Sequence, residues 1–310
     1  MKILVYGTGG VGGYFGTRMA QCGHQVTFIA RGEHLKAIRN KGLQLKSIDG
    51  DYHLNEVCAT DNPKELKPDF DVIILGVKSW QVREAGKLIK PLVQPNTTIL
   101  PLQNGVAHID DLTEILGTNN VLGGFCRLYA KIEAPGIINH FGFPPELIFG
   151  ELNHTDSERV QKIKQAFEKA LFKSTVSTSI KSDLWKKFIF INTVSGLGGY
   201  TGYSIGKMYE LKDTRKMFAG IIKEMLAIAK ARNIDLPNDF DKTMMTFISN
   251  QPYDSTASTQ RDILEGRPSE LENFNGYIVK QGEKFGIETP VNAFIYNSLL
   301  PQELVARGIK

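Results

Sequence analysis

The sequence predicts a mixed α/β domain over residues 1–180 followed by an all-helical domain over 181–310. Three observations carry this prediction. Short apolar runs alternate with helix-like stretches through the first half, the rhythm of a parallel sheet. A cluster of glycines separates the first apolar run from the first helix. After Ser182 the strand signals nearly vanish and helical periodicity dominates, which sets the domain boundary near residue 180.

Taken in order, Ile3–Tyr6 is an apolar strand, Gly10–Cys22 a helix, Gln25–Ile29 a second strand and Glu33–Asn40 a second helix. Leu43–Ile48 and His53–Val57 alternate apolar with polar residues and read as a short strand pair. The unbroken apolar run after Asp71, ending at Leu75, suits a central strand covered on both faces. Trp80–Ile89 is helical, Thr97–Leu100 a strand and Val106–Leu116 a helix. From Val121 to Gly150 the pattern is β-rich and broken at Pro135-Gly136 and Pro144-Pro145, which predicts hairpins that close the sheet. Thr155–Phe172 is a helix and Thr175–Ser179 a last strand. Helices are then expected over Asp183–Val194, Met217–Arg232, Phe240–Ser249, Ser269–Lys284 and Val291–Leu304.

Composition excludes several classes. With 42% hydrophobic and 23% charged residues, the chain matches an ordinary globular enzyme rather than a disordered, collagenous or membrane protein. The formal charge of +4, from 37 basic and 33 acidic residues spread along the chain, is too weak for a nucleic-acid footprint but leaves room for an anionic small ligand. Cys22, Cys58 and Cys126 form no CxxC and are odd in number, against a disulfide framework or zinc site. The chain opens directly on a strand-like run, and no apolar stretch is long enough to span a bilayer. The expectation is a soluble cytoplasmic protein with neither membrane nor nucleic acid as partner. The six histidines show no metal-ligand spacing, and no GxSxG or P-loop match supports a hydrolase or kinase.

Gly7-Thr8-Gly9-Gly10-Val11-Gly12 matches GxGxxG and lies where that pattern has a mechanism, between a strand and a helix. The first glycine turns the chain, the second lets a pyrophosphate approach the backbone, and the third lets helix pack on strand. The helix start offers N–H groups and the positive end of a dipole to the phosphates. The first domain is therefore Rossmann-like. At the end of the second strand, where NAD-specific proteins usually carry a carboxylate for the ribose, this chain reads Ile29-Ala30-Arg31-Gly32. Arg31 can bind a 2′-phosphate bidentately, so the expected cofactor is NADP(H); the alternative for Arg31 is a solvated surface charge.

Other polar residues stand out against apolar company. Lys78 follows the central strand and Gln103 and Asn104 follow the next, at the strand ends where open α/β sheets bind ligands. An Asn before Gly is also an ordinary turn residue. In the helix opening near Ser182, with Leu184 at 0°, Lys187 falls at about 300°, between Val194 and Ile191, and Lys186 at about 200° beside Thr193. Lys187 is thus on the apolar side, where an ammonium is readied to release its proton; a lysine snorkelling to water is the simpler alternative. Glu270 shares a face with Phe274 and Tyr277, while Glu272 points away. Glu270 could accept a substrate hydroxyl or merely complement a helix dipole.

The glycine loop with "VKSWQ" (77–81), "QNG" (103–105), "LWKK" (184–187) and "RPSELENFNG" (267–276), in this order and spacing, resembles the ketopantoate reductase family over essentially the whole chain. The resemblance implies cofactor contacts from Lys78 and Gln81, an asparagine touching cofactor and substrate at Asn104, a general acid at Lys187, a hydroxyl-binding glutamate at Glu270 and a carboxylate-binding serine at Ser258. It implies NADPH-dependent reduction of 2-dehydropantoate to (R)-pantoate, toward pantothenate and coenzyme A, with a helical substrate-binding domain whose hydrophobic helices could also serve a homodimer. The alternatives are a reductase of another 2-oxo acid and a non-catalytic NADP(H)-binding sensor. Many ketopantoate-reducing members carry asparagines four and eight residues after the lysine, where this chain has Ile191 and Ser195; another pocket asparagine is replaced by Ser255. Asn192 is one position off, turned by about 100°.

Overall fold

A computed structural model of the protein describes residues 1–309. The chain divides into two compact units, one comprising 1–104 with 108–181 and the other 105–107 with the residues from 182 onward.

The first unit opens with β1 (Lys2–Tyr6), α1 (Gly10–Gln21), β2 (Gln25–Ile29), α2 (Gly32–Lys41), β3 (Leu43–Ser47), β4 (Tyr52–Leu54) and β5 (Cys58–Thr60). It continues with β6 (Val72–Leu75), α3 (Val82–Ile89), β7 (Thr98–Pro101), α4 (Ala107–Leu116, its first residue belonging to the second unit), β8 (Leu122–Ala134), β9 (Ile137–Glu151), α5 (Glu158–Glu168) and β10 (Lys173–Val176). Five parallel strands form one sheet in the order β5-β2-β1-β6-β7. Their alternate side chains feed two cores: Ile3, Val5, Val72 and Ile74 pack on one face with Phe15 and Phe28 of α1 and β2, and Leu4, Tyr6, Ile73 and Leu75 on the other with Val82 and Leu112 of α3 and α4. Burial on both faces is why these strands read as unbroken apolar runs.

The expected closure of this sheet by hairpins is corrected. β8 and β9 pair antiparallel, but in a second sheet of order β10-β9-β3-β4 with β8 along the other edge of β9. Apart from the single bridge between Ile99 and Val121, they do not extend the parallel sheet. The first half of β9 pairs with β3 and its second half with β10, so one long strand supplies edges to two partners distant in sequence. Strand pairing of that range leaves no local pattern. The turn at Pro135-Gly136 forms, with Gly136 at φ +79°. The one expected at Pro144-Pro145 does not: β9 runs on, and the residues between Phe141 and Glu146 are accommodated by a register shift opposite Leu128.

The second unit is helical: α6 (Ile180–Thr201, its first two residues belonging to the first unit), α7 (Ile205–Glu210), α8 (Lys212–Ala231), α9 (Phe240–Ser249), α10 (Ser258–Leu264), α11 (Tyr277–Phe285) and α12 (Pro290–Ala306). α8 packs against α7, α9, α11 and α12, burying Phe218, Ile221, Ile222, Met225 and Ile228. Two short helices, α7 and α10, lie in stretches where no element is expected from the sequence. The expected helix over Ser269–Lys284 is instead a π-helical turn at Glu272–Gly276 leading into α11. No helix among the described residues is long and apolar enough to cross a membrane.

Candidate active site

The glycine loop begins where β1 ends. Gly7 has φ +100°, a conformation that favours glycine, and a Cβ there would lie 2.7 Å from Val77. A Cβ at Gly12 would lie 2.1 Å from the Gly7 carbonyl oxygen, and one at Gly10 2.2 Å from that of Ala130. These glycines are demanded by the chain's own packing. Gly9 is different: a Cβ would meet nothing within 4 Å, and its φ of −85° is open to any residue. The space in front of Gly9 could admit a pyrophosphate.

Gly9 is also the N-cap of α1, with no side-chain cap and no acidic residue in the first turn. The first amides of the helix precede its first internal bond, from the Gly13 N–H to the Gly9 carbonyl at 2.7 Å, so they are available to an anion. Thr8 does not offer its hydroxyl outward. It is buried and donates to the Ile29 carbonyl at 2.9 Å, stapling the loop to the end of β2. Val11 packs against the core. His34 of α2 accepts the Gly136 N–H at 3.0 Å; burial lowers its pKa, opposed by a hydrogen bond with the Thr8 backbone.

Arg31, the N-cap of α2, is exposed and makes no ion pair among the described residues. It lies beside Tyr6, whose phenol is pushed up by burial, with Arg31 opposing the shift. Glu33, the nearest acidic residue in the sequence, is turned to Lys36 at 2.7 Å. An adenosine 2′-phosphate therefore finds a guanidinium here and no carboxylate committed to a ribose. The loop could hold a dinucleotide, with Gly9 open in front of the helix start and Arg31 exposed beside it, while Gly7, Gly10 and Gly12 shape the backbone around it.

Lys78 follows β6, exposed, with its ammonium 5.7 Å from the centre of the Trp80 ring. A 3₁₀ turn over Ser79–Gln81 brings Gln81 back so that its amide oxygen accepts the Lys78 N–H at 3.3 Å. Gln103 proves to be structural: it is buried and donates to the carbonyls of Leu75 (2.9 Å) and Val77 (3.0 Å), fixing the strand end that carries Lys78. Asn104, half-buried beside it, makes no side-chain hydrogen bond among the described residues. Gly105 turns away at φ +85° and faces Phe274 of the second unit, to which it belongs.

In the second unit Lys186 pairs with Asp183 at 3.1 Å and keeps 40% of its side chain exposed. Lys187 is half-buried, with Leu184 and Val194 of its own face fully inside. Ile191, one turn on, is half-buried; Ser195 is buried. Asn192 faces elsewhere, wholly buried, its amide nitrogen donating to Asn292 (3.0 Å) and close to the sulfur of Met225 (3.1 Å). Ser255 donates its hydroxyl to the Pro252 carbonyl at 2.6 Å, inside a turn. Ser258 is exposed at the start of α10.

Glu270 is only 5% exposed. It accepts a 3.4 Å hydrogen bond from Thr259, the neighbour of Ser258, which brings these two segments together. Phe274 and Tyr277 are buried, as the shared face with Glu270 requires. Glu272 lies on the other side of the π turn, where Lys280 and Tyr296 donate to it. Burial works to raise its pKa, yet those bonds hold it below the usual carboxylate range. Sequence reasoning missed Thr259 and the π turn; a π turn inserts one residue into a helix that the 3.6 period treats as regular.

The sequence model of ketopantoate reductase PanE/ApbA matches residues 3–154, and that of the same family's C-terminal domain matches 179–303. The 2-dehydropantoate 2-reductase of Pyrococcus abyssi is 29% identical over 307 residues, 98% of each chain, and that of Nostoc sp. 27% identical over 304, covering 96% of this chain and 94% of the other. The PanE/ApbA family ketopantoate reductase of Ralstonia eutropha JMP134 superposes with a TM-score of 0.88 at 27% identity, covering 99% of this chain and all of that one. A D-mandelate dehydrogenase solved with NADH and anilino(oxo)acetate shares the fold, with a TM-score of 0.85 at 23% identity over 99% of this chain and all of that one. The chain belongs to the ketopantoate reductase family and is an NADP-dependent oxidoreductase acting on a CH–OH group.

Proposed function

We propose that this chain reduces 2-dehydropantoate to (R)-pantoate with NADPH, in the cytoplasm. The observation that carries the reading is the pair of unlike groups in the second unit: a half-buried lysine on α6 and a carboxylate, Glu270, held almost wholly inside. A 2-oxo acid with a terminal hydroxyl calls for both. Bound NADPH supplies the hydride that reduces the keto carbon. Lys187 gives a proton to the developing alkoxide, so hydride and proton together yield the 2-hydroxy acid. Glu270 accepts the substrate hydroxyl, and Ser258 donates to the carboxylate. Asn104, Lys78 and Gln81, at the ends of β6 and β7, orient the nicotinamide end of the cofactor. Rate acceleration then comes from orientation and from the proton donor's charge.

A second reading, reduction of a different 2-oxo acid, is favoured by Ile191, Ser195 and Ser255. They replace amides of the resembling family with an apolar side chain, a buried hydroxyl and a hydroxyl spent on a turn. NADPH oxidation measured against a panel of 2-oxo acids separates these readings. A preference for 2-dehydropantoate over its analogue with methyl in place of hydroxymethyl supports the first. Equal turnover moves the assignment to another oxo acid. Tight NADPH binding with no turnover of any of them makes the protein a cofactor-binding sensor.

A further inference from the structure

We infer that Glu303, near the C-terminal end of α12, is a positioning residue for Glu270; the inference rests on the role proposed above for Glu270. Glu303 is a carboxylate only 4% exposed, 33 residues from Glu270 in the sequence and with no part in the chemistry described so far. Its two oxygens accept the Ser269 N–H at 3.0 and 3.1 Å, and one also accepts the Ser269 hydroxyl at 2.5 Å. Arg307, one turn further along α12, donates to Glu303 at 2.6 Å and to the Ser269 carbonyl at 2.8 Å. That carbonyl belongs to the peptide bond joining Ser269 to Glu270. The Ser269 hydroxyl in turn accepts the Leu271 N–H at 3.2 Å.

The backbone on both sides of Glu270 is thereby held. Arg307 holds the carbonyl of the peptide before it, Glu303 holds the Ser269 hydroxyl and the N–H of the preceding peptide, and Ser269 holds the amide after it. The Glu270 carbonyl is held by the Phe274 N–H at 2.9 Å, at the start of the π turn. α12 also holds the far side of that turn, through Tyr296 bonded to Glu272 (2.5 Å) and Asn292 to Asn275 (2.9 Å). A π turn is an uncommon, locally irregular geometry, and here one helix braces both its ends. A buried ion pair that only stabilised the fold could be anchored anywhere along α12; this one holds both peptides of Ser269, the second of which leads directly into Glu270.

The test is Glu303→Gln, which keeps shape but presents an amide that cannot accept at both oxygens from Ser269 and Arg307. With 2-dehydropantoate the expected result is a KM raised about 10-fold with kcat nearly unchanged, since a displaced contact costs binding geometry. With 3,3-dimethyl-2-oxobutanoate, which lacks the hydroxyl, KM stays at the wild-type value, and NADPH affinity is unaffected. In a Glu270→Gln background the further change Glu303→Gln adds nothing. If Glu270→Gln alone leaves the discrimination between the two acids intact, the role of Glu270 has failed. If Glu270→Gln abolishes it while Glu303→Gln does not weaken it, or weakens both acids alike, the positioning role is overturned. Should Glu303→Gln fold poorly, Arg307→Lys is measured in its place. It retains a cation for Glu303, removes the guanidinium bridge to the Ser269 carbonyl, and is expected to shift KM in the same substrate-selective way; wild-type discrimination overturns the inference.

Discussion

Two glycines of one loop separate cofactor binding from folding. At Gly9 an added methyl group meets nothing within 4 Å and the backbone stays in an ordinary region, so Gly9→Ala is expected to change stability by no more than about 1 kcal/mol. On the proposed placement of the cofactor, the methyl nevertheless occupies the space through which a pyrophosphate would reach the amides at the start of α1. A phosphate oxygen needs about 2.9 Å to those amides. Backing away from a methyl forfeits one or two charge-assisted hydrogen bonds, each worth roughly 1.5–3 kcal/mol. The dissociation constant for NADPH should rise by about 10- to 100-fold or more. At Gly12 the same methyl would sit 2.1 Å from the Gly7 carbonyl oxygen, which forces α1 off β1 at a cost of roughly 1–3 kcal/mol or more. The assay pairs a fluorescence titration with NADPH and thermal melts without ligand. Gly9→Ala should lose affinity and keep its Tm, whereas Gly12→Ala should lower Tm. Wild-type NADPH affinity in folded Gly9→Ala would refute the placement of the pyrophosphate.

Other expectations follow from individual side chains. Arg31→Ala should raise the Kd for NADPH about 10-fold, the low end for a charge-assisted contact at an exposed site, and leave NADH binding unchanged; equal losses for both dinucleotides would remove Arg31 from the 2′-phosphate. Lys187→Ala should lower kcat by at least about 100-fold, the low end for loss of a general acid, with NADPH affinity retained; near-normal turnover would exclude the lysine. His34 has a folded pKa below its unfolded value because it is buried, so the unfolded chain binds the additional proton. Stability should therefore be fully present above about pH 6.5 and fall as the pH drops through the unfolded pKa of histidine. His34→Gln melts should lose part of that acid dependence; an unchanged profile would assign it elsewhere.

The parallel sheet was legible because its determinants are local. Ile3–Tyr6 and Val72–Leu75 are apolar on both sides, and the glycines fall where strand meets helix. The limits of α9, Phe240–Ser249, are those read from periodicity. Of the second sheet only the local β3–β4 pair was legible, since β9 draws its neighbours from β3, β8 and β10, which lie far apart in the sequence. At the site, Glu270 and Glu272 could be told apart because the Glu270 carbonyl still accepts from the N–H four residues on, as in a regular helix, and the π insertion comes afterwards. Gln103 could not be told from Asn104. Both end a strand, and only the tertiary fold places the Leu75 and Val77 carbonyls opposite the first of them. Nor does any pattern link Glu303 to Ser269, since that contact depends on where α12 returns.

The same distinction decides what the wall beside Lys187 can recognise. Asn192 is the one amide near the position where the family resemblance calls for an asparagine, yet it is fully buried in a network with Asn292, which also receives Asn275 and donates to Glu224 at 2.7 Å. Turning it toward Lys187 would rotate α6 by about 100° and break those buried bonds, each leaving a polar group unsatisfied at about 1–3 kcal/mol. If the proposed site is right, Ile191, one turn from Lys187, stands there instead, and a polar substrate group meeting it gains no hydrogen bond. Ile191→Asn should restore one. Because Ile191 is half-buried, Tm should change little, while kcat/KM for 2-dehydropantoate should rise by roughly 3- to 10-fold, the worth of a neutral hydrogen bond. A fall for 2-dehydropantoate together with a fall for an oxo acid bearing an apolar side chain would mean that Ile191 packs against substrate, and would transfer the assignment to that second acid.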